Sequence, residues 1–167
     1  MSNKLNINQT EYSVILQQAV AEIRVARTLI AKQVNSTANS VYWNLGKLLF
    51  EKQLEEGYGS GVVKQLSADL RSEFPDMGLS PRNLWDMKRF YERYHLADEK
   101  LRRSVAVLPW RHNLLLLNKV KSFPAIEFYA NEVATKGWSR DLLLNAIKMD
   151  SYSRAQTQVA SNNFSQT

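Results

Sequence analysis

Apolar residues recur at intervals of three and four along much of this chain, and that spacing limits the possible folds more than any other feature. A helix turns once in about 3.6 residues, so the spacing gathers apolar side chains on one face. The first such face extends over residues 11–54 and includes Ile23, Ile30 and Leu45. No segment shows the alternation that is typical of a strand. The sequence therefore predicts an all-α fold with a long N-terminal helical region.

The length and the distribution of apolar residues predict the domain organisation. A chain of 167 residues suits one domain with a core. We expect a flexible N-terminus at residues 1–10, a single multi-helix domain at residues 11–149, and a linker or disordered tail at residues 150–167, which are rich in Ser, Asn and Gln. The polar stretch NSTANS at residues 35–40 is either a break between two helices or an exposed part of one long helix.

Start and stop signals divide the rest of the chain into helices. A turn at EEGYGSG leads to a helix that Ser60 caps and Pro75 ends. Its expected buried residues are Val62, Val63, Leu66, Leu70 and Phe74. The pair Ser80-Pro81 starts the next helix, which reaches about Tyr94. A charged connector, LADEKLRRS, then precedes a leucine-rich helix that we expect at the centre of the core.

Further signals follow the leucine-rich helix. Ser122 and Pro124 start a helix that Gly137 ends, and Ser139 caps one more helix after it.

Several classes of protein are disfavoured by composition. No apolar run approaches the roughly 20 residues that span a bilayer, and the first residues lack the apolar stretch of a secretory signal. We therefore expect a cytoplasmic protein that does not enter the membrane. The chain has no cysteine, and we interpret His95 and His112 as ordinary surface or capping residues, so no metal site or cofactor is predicted. The glycines of EEGYGSG follow no strand, which argues against a phosphate-binding loop.

Positive charge is concentrated in one quarter of the sequence. Residues 80–121 hold 10 Lys or Arg against four Asp or Glu, and this difference equals the net charge of +6 of the whole chain. Such a block is typical of a surface that binds a polyanion, although a solvated basic face would look the same.

The helix that starts at Pro81 has two distinct faces. At 100° per residue, its apolar residues Leu84, Met87, Phe90, Tyr91 and Tyr94 share one arc, which we expect to be buried. Arg82, Arg89 and Arg93 converge on the opposite side, with Trp85 and Asp86 beside them. Together with the preceding helix and the short turn, residues 60–94 have the dimensions of a helix-turn-helix, whose second helix enters the major groove of DNA.

This geometry suggests a role for each polar residue of the helix. Arg82 and Asn83 would lie at base edges, where Arg binds guanine and Asn binds adenine. Asn83 also lies near the edge of the buried face, so it could instead stabilise the start of the helix. Positioning contacts to phosphates would come from Lys88, Arg89, Arg93, Arg102 and Arg103.

Four ordered segments carry a family resemblance: VYWNLGKLLFEKQ, then GYGSGVVKQLSADLRSEFPDMGLSPRNLWDMKRFYERY, then LPWRHNLLLLNKVK, and finally ATKGWSRDLLLNAI. From about residue 20 to residue 164 the chain resembles the N-terminal domain of the YhcG-like bacterial proteins. The resemblance implies a helical domain that binds DNA through a helix-turn-helix. It also implies a C-terminal partner domain similar to PD-(D/E)xK nucleases, which would make this chain a fragment of a longer protein.

No arrangement of residues in this chain predicts catalysis. Cleavage of a phosphodiester with Mg²⁺ needs converging carboxylates, and the adjacent pairs Glu55-Glu56 and Asp98-Glu99 diverge on a helix. We therefore predict a non-enzymatic DNA-binding module that targets a nuclease-like protein. The alternative is a helical module for protein interaction, in which residues 11–54 form a homodimer or dock a partner and no nucleic acid is bound.

Overall fold

Helices make up the whole regular structure of the computed structural model, which describes residues 8–165. Within those residues the chain forms eight α-helices and no strand, which confirms the all-α prediction. The helices are α1 (Gln9–Glu51), α2 (Ser60–Glu73), α3 (Pro81–Tyr94), α4 (Glu99–Ala106), α5 (Trp110–Lys119), α6 (Phe123–Lys136), α7 (Arg140–Lys148) and α8 (Ser151–Ser165). Of the expected flexible N-terminus, residues 1–7 lie outside the described residues.

The chain divides into two compact units, residues 1–34 and residues 35–167. In the first unit, the described residues belong almost entirely to α1, which begins where Asn8 Oδ1 accepts a hydrogen bond of 2.8 Å from the Glu11 amide. Val20 of this part of α1 is half-buried, and nine other large apolar side chains there are between 48% and 62% exposed. They are Tyr12, Val14, Ile15, Leu16, Ile23, Val25, Leu29, Ile30 and Val34.

The polar stretch at residues 35–40 is helical, so α1 continues through it. Two of its asparagines explain its composition. Asn35 donates a hydrogen bond of 3.0 Å to Val107 O, and Asn39 donates bonds of 2.8 Å to Ala106 O and Leu108 O. The last carbonyls of a helix have no partner within the helix. These side chains therefore donate to carbonyls at the end of α4 and just after it, which apolar side chains of α1 could not do.

Two apolar clusters form the core of the second unit. The larger cluster contains buried residues of α3, α4, α5, α6 and α7, including Leu116, which is fully buried as the leucine-rich pattern predicted. The smaller cluster joins α1, α2 and α3. Its buried members are Leu49, Val63, Leu79, Leu84 and Met87. Gly46 of α1 is buried against the backbone of α3, so the two helices approach each other closely.

The α2–α3 pair has the expected helix-turn-helix boundaries. The hydroxyl of Ser80 accepts a bond of 3.2 Å from the Asn83 amide, with Pro81 at the first helical position. The start of α2 differs from the prediction. Gly59 occupies its N-cap position, and the Ser60 hydroxyl instead accepts a bond of 2.8 Å from the Gly57 amide. The cap prediction at Ser60 was therefore wrong, because the hydroxyl closes the preceding turn.

The buried side of α2 is narrower than predicted. Val63 is fully buried, but Val62 and Phe74 are 56% and 47% exposed. Leu66 and Leu70 pack at the edge of the smaller cluster. The prediction was wrong for Val62 and Phe74 because only one side of α2 contacts that cluster.

Helix α4 forms where the sequence predicted a charged connector. Asp98 caps it by accepting a bond of 2.8 Å from the Leu101 amide. Leu101 and Val105 are buried in the larger cluster. The connector prediction was wrong because two apolar residues, four apart, are enough to dock a helix of this length.

Helix α8 forms where polar composition predicted a linker or disordered tail. Tyr152 attaches its start to α6, since its ring lies 5.6 Å from that of Phe128 and its amide donates to the Tyr129 hydroxyl at 3.2 Å. Residues 151–165 are thus helical, and residues 166–167 lie outside the described residues.

The remaining boundaries agree with the sequence signals. Ser122 and Ser139 cap α6 and α7 through their hydroxyls. Gly137 ends α6 with φ of 66°, in the left-handed region that glycine adopts without strain.

Candidate nucleic-acid interface

Helices α3 and α5 lie side by side and run in the same direction, joined by polar contacts along their length. Near their starts, the Trp110 indole N–H donates a bond of 2.9 Å to Asn83 Oδ1. Further along, Arg89 donates a bond of 2.9 Å to Asn118 Oδ1. The Arg93 guanidinium donates a bond of 2.8 Å to Val120 O, immediately after α5. These contacts hold the two helices in a fixed register.

A groove of about 400 Å³ lies between α3, α5 and α7. Its basic side chains are Arg82 of α3, Arg111 and Lys119 of α5, and Arg140 of α7, and all of them are exposed. Asp86 is the acidic residue that lines it, and its carboxylate pairs with Arg89 at 3.0 Å. Because this pair is neutral, the other four side chains give the groove a net positive charge.

The salt links of the groove residues leave their charges accessible. Arg140 lies 4.0 Å from the Asp141 carboxylate, whose side chain is 91% exposed. An exposed pair at this distance is worth little and yields to a competing anion. The groove can therefore offer several guanidinium groups to phosphate oxygens, which Arg binds with two parallel hydrogen bonds.

The structure brings only part of the predicted site into this groove. Arg82 and Asp86 line it, and Arg89 braces its wall through Asp86 and Asn118. Trp85 lies outside the groove, packed against the smaller apolar cluster. Arg102 and Arg103 belong to α4 and line a separate cavity of about 390 Å³ with Asn39, Trp43 and Phe90.

Both ends of the Asn83 amide are engaged within the protein. Its Nδ2 donates a bond of 2.7 Å to Gly78 O, and its Oδ1 accepts from Trp110. Asn83 therefore links the turn before α3 to the start of α5, which favours the structural role that the sequence left open. Arg93 is likewise used internally, because it donates to Val120 O, the carbonyl that follows the last residue of α5.

Lys88 is buried, although the sequence placed it on a binding surface. It is 5% exposed, and its Nζ lies 2.9 Å from Glu92 Oε1 and 3.2 Å from Glu55 Oε1. Burial lowers the pKa of Lys88, but hydrogen bonds to Glu92 and Glu55 outweigh it, so the pKa is raised above its ordinary value. The ammonium charge is neutralised by these carboxylates and does not face the groove.

We expect Lys88→Met to leave any affinity of the chain for duplex DNA unchanged within about twofold. The side chains of Glu55 and Glu92, which pair with Lys88, are 71% and 39% exposed, so water can solvate their carboxylates when the ammonium is removed and no buried charge is left unpaired. Anisotropy titration with duplex DNA measures the affinity, and circular dichroism checks folding. A large loss of affinity by a folded variant would contradict this prediction and show that Lys88 belongs to the binding surface.

Three groove residues were not among the predicted site residues: Arg111, Lys119 and Arg140. The first two belong to the basic block, but the sequence does not indicate that α5 lies beside α3. Arg140 lies in a flank of balanced charge, where no local signal marks it.

The two histidines have different environments. His95 lies at the C-cap position of α3, with Nδ1 2.9 Å from Tyr91 O, as the capping interpretation proposed. His112 is buried, with Nε2 2.8 Å from Trp138 O. The surface interpretation was wrong for His112, because this side chain fixes the turn between α6 and α7. Among the described residues, no group of three or more His, Asp or Glu side chains is arranged to hold a metal ion.

These features define an all-α domain with a basic groove beside a helix-turn-helix-like pair. No helix within residues 8–165 is long and apolar enough to cross a membrane. The family model of the DUF1016 N-terminal domain matches residues 18–154, and the chain belongs to this family. The match confirms the resemblance to the N-terminal domain of YhcG-like proteins. Neither the curated proteins nor the solved structures contain a significant match to the chain.

Proposed function

We propose that this chain binds DNA through the groove between α3, α5 and α7. The observation that carries the proposal is the convergence of four exposed basic side chains, Arg82, Arg111, Lys119 and Arg140, from three separate helices. Phosphate contacts from Arg and Lys supply most of the affinity of DNA-binding proteins. The proposed role is binding alone, with no catalytic step.

Arg82 has a position that differs from that of the other groove residues. It lies in the first turn of α3, the second helix of the helix-turn-helix-like pair, and its side chain is exposed. In such proteins the first turn of the second helix contacts base edges. Arg82 would therefore contact bases, while Arg111, Lys119 and Arg140 would position the duplex through its phosphates.

The proposal retains some of the residues predicted from sequence and leaves out others. It retains Arg82 and, as a bracing residue of the groove wall, Arg89. It leaves out Lys88, Asn83 and Arg93, whose polar atoms bind other parts of the protein. Arg102 and Arg103 become a separate surface that serves as a control. If a nuclease-like domain accompanies this domain, as the resemblance implies, the groove would bring that domain to DNA.

The test compares two triple variants with the same change in net charge. The first changes Arg82, Arg111 and Arg140 to Glu, and the second changes Lys100, Arg102 and Arg103 on α4 to Glu. Fluorescence anisotropy follows titration into labelled duplex DNA at several salt concentrations. We expect the unsubstituted chain to give a slope of log K against log salt of about −2.7, the value for the three phosphate contacts of Arg111, Lys119 and Arg140. The groove variant should bind more weakly by about tenfold or more, because it loses two charge-assisted phosphate contacts and the base contact of Arg82.

The outcome depends on which variant loses affinity while circular dichroism shows it to be folded. Loss in the groove variant with near-normal binding by the α4 variant supports the proposal. If both variants lost the same affinity, binding would depend on net charge alone. If only the α4 variant lost affinity, the binding site would lie on α4. If the unsubstituted chain binds no DNA, the protein-interaction module becomes the better assignment.

A further inference from the structure

Residues 12–34 of α1 present apolar side chains that nothing in their own unit covers. A soluble helix that is stable by itself normally keeps its apolar residues against a core, and short isolated helices are marginal in water. Exposed apolar surface of this extent marks an interaction site. The arrangement of these residues indicates what the partner is.

The apolar residues of this segment follow a heptad repeat. Leu16, Ile23 and Ile30 are seven residues apart and take the first core position, and Ala19 and Ala26 take the second. These two positions form the seam of a coiled coil, and leucine or isoleucine at the first with alanine at the second makes that seam apolar. Leu16, Ile23 and Ile30 are each about half exposed or more, as they must be if the seam meets another chain.

The positions beside the seam are complementary to themselves in a parallel pair. In a parallel coiled coil, the residue that precedes each first core position on one helix faces the residue that is five positions further along in the sequence of the other helix. Glu22 would thus face Arg27 of a second copy, which is an ion pair.

The other two pairs at these positions are apolar on both sides. Ile15 would face Val20, and Leu29 would face Val34. An antiparallel pair in the register centred on this segment would instead bring Glu22 of one copy against Glu22 of the other. The charge pattern therefore favours a parallel arrangement.

The repeat ends within α1. After Ile30 the core positions hold Gln33, Thr37, Ser40 and Asn44, which are polar. The apolar seam consequently stops after Ile30, shortly before residue 34, where the first compact unit ends. The seam lies within the segment that has exposed apolar side chains.

We propose that residues 12–34 of two copies of this chain form a parallel two-stranded coiled coil. The proposal does not depend on DNA binding, because it concerns a different unit and is tested without nucleic acid. Two copies in one assembly would also provide two basic grooves, as proteins that bind paired half-sites do.

The first test measures the molar mass of the full chain in solution by light scattering after gel filtration, at tens of micromolar. We expect twice the chain mass of 19.2 kDa. Ile23→Glu should give the mass of a single chain, since it places two carboxylates in the seam. Val25→Glu is the matched control, because Val25 is equally exposed but lies off the seam, and it should keep the doubled mass.

The second test addresses the parallel register. Glu22→Arg alone and Arg27→Glu alone should each weaken the dimer, and the double exchange should restore it. A mass of one chain for the unsubstituted protein, or equal effects of Ile23→Glu and Val25→Glu, would overturn the proposal. Failure of the double exchange to restore the dimer would overturn the parallel arrangement.

Discussion

We expect Gly46→Ala to lower the free energy of unfolding by about 3 kcal/mol or more. A Cβ at Gly46 would lie 2.1 Å from Met87 O and 2.5 Å from Met87 C, well inside van der Waals contact. These are backbone atoms of α3, so a rotamer change cannot relieve the overlap and the helices must separate. Alanine favours a helix over glycine by only about 1 kcal/mol, which is too little to offset this. Urea unfolding followed by circular dichroism measures the loss.

Gly61→Ala is the matched control for this prediction. Gly61 lies in α2, and a Cβ there would meet nothing within 4 Å. We expect this variant to be more stable by about 0.5 to 1 kcal/mol, because only the helix preference acts. If Gly46→Ala were as stable as Gly61→Ala, the close approach of α1 and α3 would be contradicted.

The second large effect is expected at Asn39, which is 3% exposed. Asn39→Ala should lower the free energy of unfolding by about 2 to 4 kcal/mol. The substitution leaves Ala106 O and Leu108 O without the bonds that the amide donates to them. An unpaired buried polar group costs about 1 to 3 kcal/mol. Thermal and urea unfolding of the full chain would measure the change.

The same helix supplies a control for the role of Asn39. Asn44 is exposed, and Asn44→Ala should change stability by no more than about 0.5 kcal/mol, because alanine is the better helix former. If Asn39→Ala changed the free energy of unfolding as little as Asn44→Ala, the hydrogen bonds from Asn39 to the end of α4 would contribute little to stability.

Local signals were sufficient for most of the helix boundaries. Ser80-Pro81, Ser122 and Gly137 act within a single turn of backbone, so their effect does not depend on the rest of the molecule. The seven-residue and three-to-four-residue spacings likewise reflect helix geometry alone. The all-α class could therefore be predicted from the sequence.

Elements stabilised by distant contacts could not be predicted. Helix α4 is short and highly charged, and Leu101 and Val105 gain from burial only because the larger cluster receives them. Helix α8 has a polar sequence and is held at its start by Tyr152 against Phe128 and Tyr129. Composition alone does not predict either helix, because contacts of one or two side chains with the rest of the protein decide whether the segment is helical.

The candidate site shows the same division between local and distant information. Helical spacing placed Arg82, Arg89 and Arg93 on one face, but it did not indicate that the end of α5 would engage Arg93. Lys88 was predicted to contact phosphates as one of the basic residues of the block at residues 80–121, although it is buried. The opposed carboxylates of Glu55 and Glu92 compensate for its burial.

The polar contacts between α3 and α5 have a consequence for the energetics of binding. Asn83 meets Trp110 and Arg93 meets Val120, with the same separation in sequence at both ends of the helix pair. The backbone of the groove wall is therefore held in place before a ligand arrives, so the conformational entropy lost on association would come mainly from the four exposed basic side chains of the groove. A polyanion that enters the groove would meet helices whose spacing the protein has set in advance, while these long side chains adapt to it.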